Sequence, residues 1–71
     1  MNHDHPFIQK MLLKILIWNN YNIYYSARRL NISRRSILNA LQDRPIDALD
    51  QQKIIGYYLA YTQSKNNNVI D

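Results

Sequence analysis

The chain contains no cysteine, no glutamate and a single glycine. Without cysteine no disulfide can brace the fold, and a structural zinc site of the usual thiolate kind is excluded. One glycine leaves no material for a glycine-rich phosphate loop, and both histidines, His3 and His5, stand at the start of the chain. The usual constellations of nucleophile, base and phosphate cradle are therefore missing, so a protein that is not an enzyme and uses no cofactor is expected. Long apolar runs are missing too. The stretch 11–18 is interrupted by Lys14 and falls well short of the ~20 residues that span a bilayer. No signal peptide is visible, so a cytoplasmic, nucleoid-associated setting without membrane contact is expected.

Acidic residues are sparse in a further sense. Between Asp4 and Asp43 there are none, while Lys10, Lys14, Arg28, Arg29, Arg34 and Arg35 lie in that interval. Asp43, Asp47 and Asp50 then follow close together. The formal charge is +4 and the pI about 9.6, but this segregation says more than the total: a basic face with an acidic shoulder suits an anionic partner. At 71 residues the chain holds one domain with a marginal core, so tight helix packing or a second copy must supply stability.

What is present is helical patterning. An all-α fold is expected, a small four-helix bundle with helices at about 6–18, 23–30, 33–43 and 47–63. Residues 1–5 read as a flexible N-terminus, 6–63 as the domain, and 64–71, with three consecutive asparagines, as a disordered tail. The His3-Asp4-His5 triplet has the chemistry of metal ligands, but on a free terminus it reads better as a cap ahead of Pro6, and no metal is expected. In the first helix Phe7, Met11, Ile15 and Trp18 fall on one stripe and Ile8, Leu12 and Leu16 on the next, with Leu13 and Ile17 widening the apolar surface.

The segment 22–42 carries the most information. Asn22 is a cap for a helix whose Ile23, Ala27 and Leu30 face inward, Ala27 being small enough for close helix contact. Asn31 stands where the chain must turn left-handed, for which asparagine is the next choice after glycine. Ser33 caps the following helix, which Ile37 and Leu41 anchor to the core. Its first turn carries Arg34, Arg35 and Ser36. Cations at a helix N-terminus oppose the macrodipole, so their placement points to function rather than stability. Pro45 ends this helix, and Asp47 begins the last.

In this arrangement, Leu16, Asn22, Ala27, Leu30, the run from Ile32 to Ile37, and Leu41 resemble the DNA-binding helices of the Fis family and of the C-terminal domains of NtrC-type activators. The resemblance covers rather more than a third of the chain, and it implies a helix-turn-helix with its second helix in the major groove. Carried onto matching positions, it implicates Ser33, Arg34, Ser36 and Asn39 in contacts to bases and phosphates. The chain departs from the family where Leu38, Asn39 and Ala40 replace the usual basic residues, and where Pro45 introduces a further helix.

Together these features predict a sequence-selective DNA-binding transcriptional regulator acting on double-stranded DNA. Arg28, Arg29, Ser33, Arg34, Arg35, Ser36 and Asn39 are the candidate contacts. The ordinary alternative for the arginines is a solvated helix face; for Ser36 it is a backbone cap. A homodimer is expected, with Ile55, Tyr58 and Leu59 of the last helix at its interface. Tyr58 and Tyr61 read equally as core packing. A second reading is a helical protein-interaction module, an adaptor or regulator binding another protein through its apolar outer helices. RNA binding is less favoured, because no strand is predicted to carry stacking aromatics.

Overall fold

Helix α1, Pro6–Trp18, follows from thirteen residues with no glycine and with proline only at the first position, where its missing N–H is harmless. The structure, a computed structural model, describes the backbone of residues 6–70 and the side chains of 7–64. The expectations for residues 1–5 and their His3-Asp4-His5 triplet lie outside it. Three helices follow: α2, Ile23–Leu30, α3, Arg34–Leu41, and α4, Ala48–Ile70. No strand occurs among the described residues, and the all-α bundle read from the sequence is what forms.

α1 is the central element, packing against each of the other three helices. Ile8, Leu12, Ile15 and Leu16 are buried, a stripe at helical spacing, and Met11 and Trp18 are half-buried beside it. Phe7, expected on that stripe, is instead 67% exposed, and Leu13 and Ile17 also face out. Ala27 and Leu30 of α2, Ile37 and Ala40 of α3 and Ile54 of α4 complete the core. Trp18 extends it by stacking on Tyr61 at 4.0 Å and on Tyr58 at 5.6 Å between ring centroids. Ser26 is the single buried polar residue among the described residues, and its hydroxyl accepts a 3.1 Å hydrogen bond from Asn19 Nδ2.

The scarcity of glycine reappears in how the helices stop. α1, α2 and α3 all end in the same turn, in which a left-handed residue lets two backbone N–H groups reach back to otherwise orphaned carbonyls. After α2, Asn31 (φ 60°) donates to Arg28 and Ile32 donates to Ala27. After α3, Asp43 (φ 60°) donates to Ala40 and Arg44 to Asn39. After α1, Asn20 (φ 59°) donates to Ile17 and Tyr21 to Leu16. Asparagine and aspartate stand where glycine is commonest, since they tolerate this conformation best among the other residues. Tyr21, also left-handed at φ 60°, has no such tolerance and is locally strained.

The N-termini of the two short helices match expectation. Asn22 Oδ1 accepts from the Tyr25 amide at 2.9 Å, and Ser33 Oγ from the Ser36 amide at 3.1 Å. Two boundaries differ. α3 ends at Leu41 rather than near residue 43, because Asp43 takes the left-handed turn before Pro45 is reached. α4 continues to Ile70 rather than stopping near 63, since asparagine only weakly disfavours helix and neither proline nor glycine follows Gly56. The tail expected from residue 64 is thus helical in backbone through Ile70, and its side chains beyond Ser64 lie outside those described.

α3 is held at both ends by other helices. At its start the Ser36 hydroxyl donates to Asp50 Oδ2 of α4 at 2.6 Å. At its finish Gln9 Nε2 of α1 donates to the Leu41 carbonyl, also at 2.6 Å. Lys53 of α4 likewise closes α2, donating to the Asn31 carbonyl at 3.0 Å.

Candidate functional site

The turn between α2 and α3 brings the arginine pairs Arg28-Arg29 and Arg34-Arg35 onto neighbouring helices, and all four side chains are exposed. Each pair has one member engaged by tyrosine. Arg34 Nη1 donates to the Tyr24 hydroxyl at 2.8 Å, and its guanidinium lies 4.3 Å from the Tyr24 ring centroid. Arg29 donates more weakly to the Tyr25 hydroxyl, at 3.4 Å, and lies 5.7 and 5.9 Å from the Tyr25 and Tyr57 rings. The Tyr25 phenol, and secondarily that of Tyr57, pushes the pKa of the exposed Arg29 guanidinium above its ordinary value. No partner within the described residues is evident for Arg28 or Arg35.

An open cleft at the mouth of the turn is lined by Tyr24, Arg28, Asn31, Ser33, Arg34, Ser36, Asp47 and Asp50, among others. Within it the Ser33 hydroxyl donates to Ser36 Oγ at 3.2 Å, and Ser36 passes the chain on to Asp50. The acidic shoulder thus reaches the N-terminus of α3, where a carboxylate complements the helix dipole. The fold itself supplies the anion that the exposed amides of such a terminus attract.

These contacts redistribute the residues singled out from the sequence. Arg28 and Arg34 line the same cleft, whereas Arg29 lies against Tyr25 and Tyr57 and Arg35 is exposed outside the cleft. Ser33 is exposed with its hydroxyl used as the cap, and Ser36 is half-buried with its hydroxyl committed to Asp50. Asn39 is half-buried at the edge of α3. Leu38, 46% exposed, and Gln42 occupy the outer line of α3 instead. Tyr24 and Lys53 are contributors that sequence spacing did not single out as partners. Their roles depend on which helix comes to lie beside which.

On α4 the expected interface residues divide. Ile55 packs against the core and Tyr58 stacks on Trp18, so both are partly used within the chain; Leu59 is 45% exposed. The outward stripe of α4 runs instead through Leu49, Gln52, Gly56, Leu59, Ala60 and Gln63. A Cβ added at Gly56 would meet nothing within 4 Å. No helix among the described residues is long and apolar enough to cross a membrane. No protein-family model, curated protein or solved structure matches the chain.

Proposed function

We propose that this protein is a sequence-selective DNA-binding regulator of transcription in which α2, the turn and α3 act as a helix-turn-helix. The observation that carries this reading is the exposure of Arg28, Arg29, Arg34 and Arg35 around one tight turn, with Arg34 oriented by Tyr24. A helix end bearing oriented guanidinium groups is suited to duplex phosphates and to guanine edges. The resemblance to Fis-type helices points the same way. The test is fluorescence anisotropy with a random-sequence duplex, titrated with salt, comparing wild type with the Arg34→Ala/Arg35→Ala double variant. Affinity that falls steeply with salt, and a shallower slope in the variant, supports DNA contact through α3. No binding at low salt removes the reading.

The protein acts as a homodimer on this reading, and the outer stripe of α4 is the better contact. It carries no charge from Leu49 to Gln63 along that line, so a second copy meets no like-charge repulsion there. The outer faces of α1 and α3 carry Lys10 with Lys14 and Arg34 with Arg35, which would oppose themselves across a twofold axis. Two α3 helices roughly 34 Å apart would then address successive turns of one duplex face. A monomer by light scattering at micromolar concentration removes the dimer, and Leu49→Lys/Leu59→Lys should produce that monomer if the stripe is correct.

The second reading, a protein-interaction module, draws on a different surface. Phe7, Leu13 and Ile17 are exposed on α1 beside Lys10 and Lys14. A module of this kind would lose function on Ile17→Ser and tolerate Arg34→Ala, the reverse of what DNA binding requires.

A further inference from the structure

We propose that Arg35 and Leu38 of α3 and its C-cap residue Gln42, rather than Ser33, Arg34 and Ser36, are the side chains that read base edges, and that they select a guanine, a thymine and an adenine within about four successive base pairs. This inference rests on the DNA-binding reading and specifies the site that it would recognise.

Most side chains of α3 are already used by the fold. Ile37 and Ala40 are buried, and Leu41 packs against the core. Ser33 caps the helix, Ser36 is bonded to Asp50, and Arg34 is held against Tyr24. What α3 and its C-cap leave outward is one line at i, i+3 and i+7: Arg35, Leu38 and the C-cap Gln42. At ~1.5 Å rise per residue the line spans about 10 Å, the length of roughly three steps of ~3.4 Å along a duplex strand.

The chemistry of that line is graded. Arg35 offers the planar fork that matches guanine O6 and N7, and no other side chain of the described residues is shown holding it. Leu38 has no hydrogen-bonding group, so its match in the groove is the thymine methyl. Gln42 has both a donor and an acceptor and suits adenine N6 and N7. Arg34 keeps N–H groups beyond the one given to Tyr24, but its position is set by the ring, which suits phosphate contact that fixes register. Leu38 is 46% exposed at the middle of the line, an apolar group between two polar readers.

The test is selection of preferred sites from a randomised duplex pool with the full-length protein, followed by anisotropy on the selected site and its single-base substitutions. Arg35→Ala, Leu38→Ala and Gln42→Ala should each lose discrimination at one base pair, the three positions falling within about four successive base pairs, by on the order of tenfold. Leu38→Ala and Gln42→Ala change no charge, so their affinity for random duplex and their salt slope should stay as in wild type. Arg34→Ala should weaken all sequences equally. Circular dichroism of the exposed-residue variants controls for folding. The proposal is overturned, with DNA binding intact, if selection yields no preferred site or if discrimination survives Leu38→Ala and Gln42→Ala but is lost in Ser36→Ala or Arg34→Ala. Absence of binding to any duplex at low salt overturns it together with the reading on which it rests.

Discussion

The two halves of this protein are stabilised in different ways. α1 and α4 are long and are held through their middles, where Leu12, Ile15 and Ile54 are fully buried and Trp18 stacks on two tyrosines. α2 and α3 have eight residues each, too few to persist alone, and besides burying Ala27, Leu30, Ile37 and Ala40 they are held at their ends. Asn22 and Ser33 start them, Asn31 and Asp43 stop them, and Gln9, Asp50 and Lys53 reach in from the long helices. A half stabilised at its ends keeps its outer side chains free for a partner. A half stabilised along its middle uses them for packing.

Substitutions can break that contrast. The largest effect should come from the long half: Leu12→Ala removes a side chain with no exposure at the centre of α1 and should cost about 2–5 kcal/mol. For a domain this small such a loss is a large part of the whole stability, and urea melts followed by circular dichroism would register it as a collapse of the midpoint. In the short half, Asn31→Val forces a β-branched residue into the left-handed turn and should cost about 1–2 kcal/mol, whereas Asn31→Gly should leave stability equal or slightly raised. A valine variant as stable as wild type would mean that the turn does not hold α2 to α3.

Ser33→Ala, which removes a cap and a partner of Ser36, should cost about 1 kcal/mol in the same melts. The smallest effect sharpens the comparison on the other side. Gly56→Ala in α4 meets open space and should raise stability by about 0.5–1 kcal/mol in dilute protein. If the α4 stripe is a contact between copies, that gain should shrink as protein concentration rises; if it is not, the gain should be the same throughout.

Much of the end-stabilised half was legible in the sequence because its signals are local. Asn22, Asn31 and Ser33 each act on backbone within a few residues of themselves, so their types and spacing were sufficient. The features that were not legible join distant segments. Nothing near Gln9 announces that it will meet the Leu41 carbonyl, and nothing near Ser36 announces Asp50. For the same reason Ser36 reads from the sequence as an outward contact, although Asp50 holds its hydroxyl. On α4 the apolar residues cover more than one side, and periodicity alone does not say which side the chain keeps for itself. Ile55 and Tyr58 therefore read as interface residues, and both are partly used within the chain. The three asparagines read as a stop signal, but the penalty for each within a helix is small, and α4 continues to Ile70.

The attachment of α3 at both ends, to Asp50 at one and to Gln9 at the other, has a consequence for the partner rather than for the protein. A short helix clamped to two long ones has little freedom to tilt. If it enters a groove as proposed, adjustment of fit falls to the duplex, which must bend or widen to meet it. The deformation energy of DNA depends on its base steps, being least at flexible pyrimidine–purine steps such as TA. Sites would then be ranked partly by how willingly they yield, at base pairs that no side chain touches.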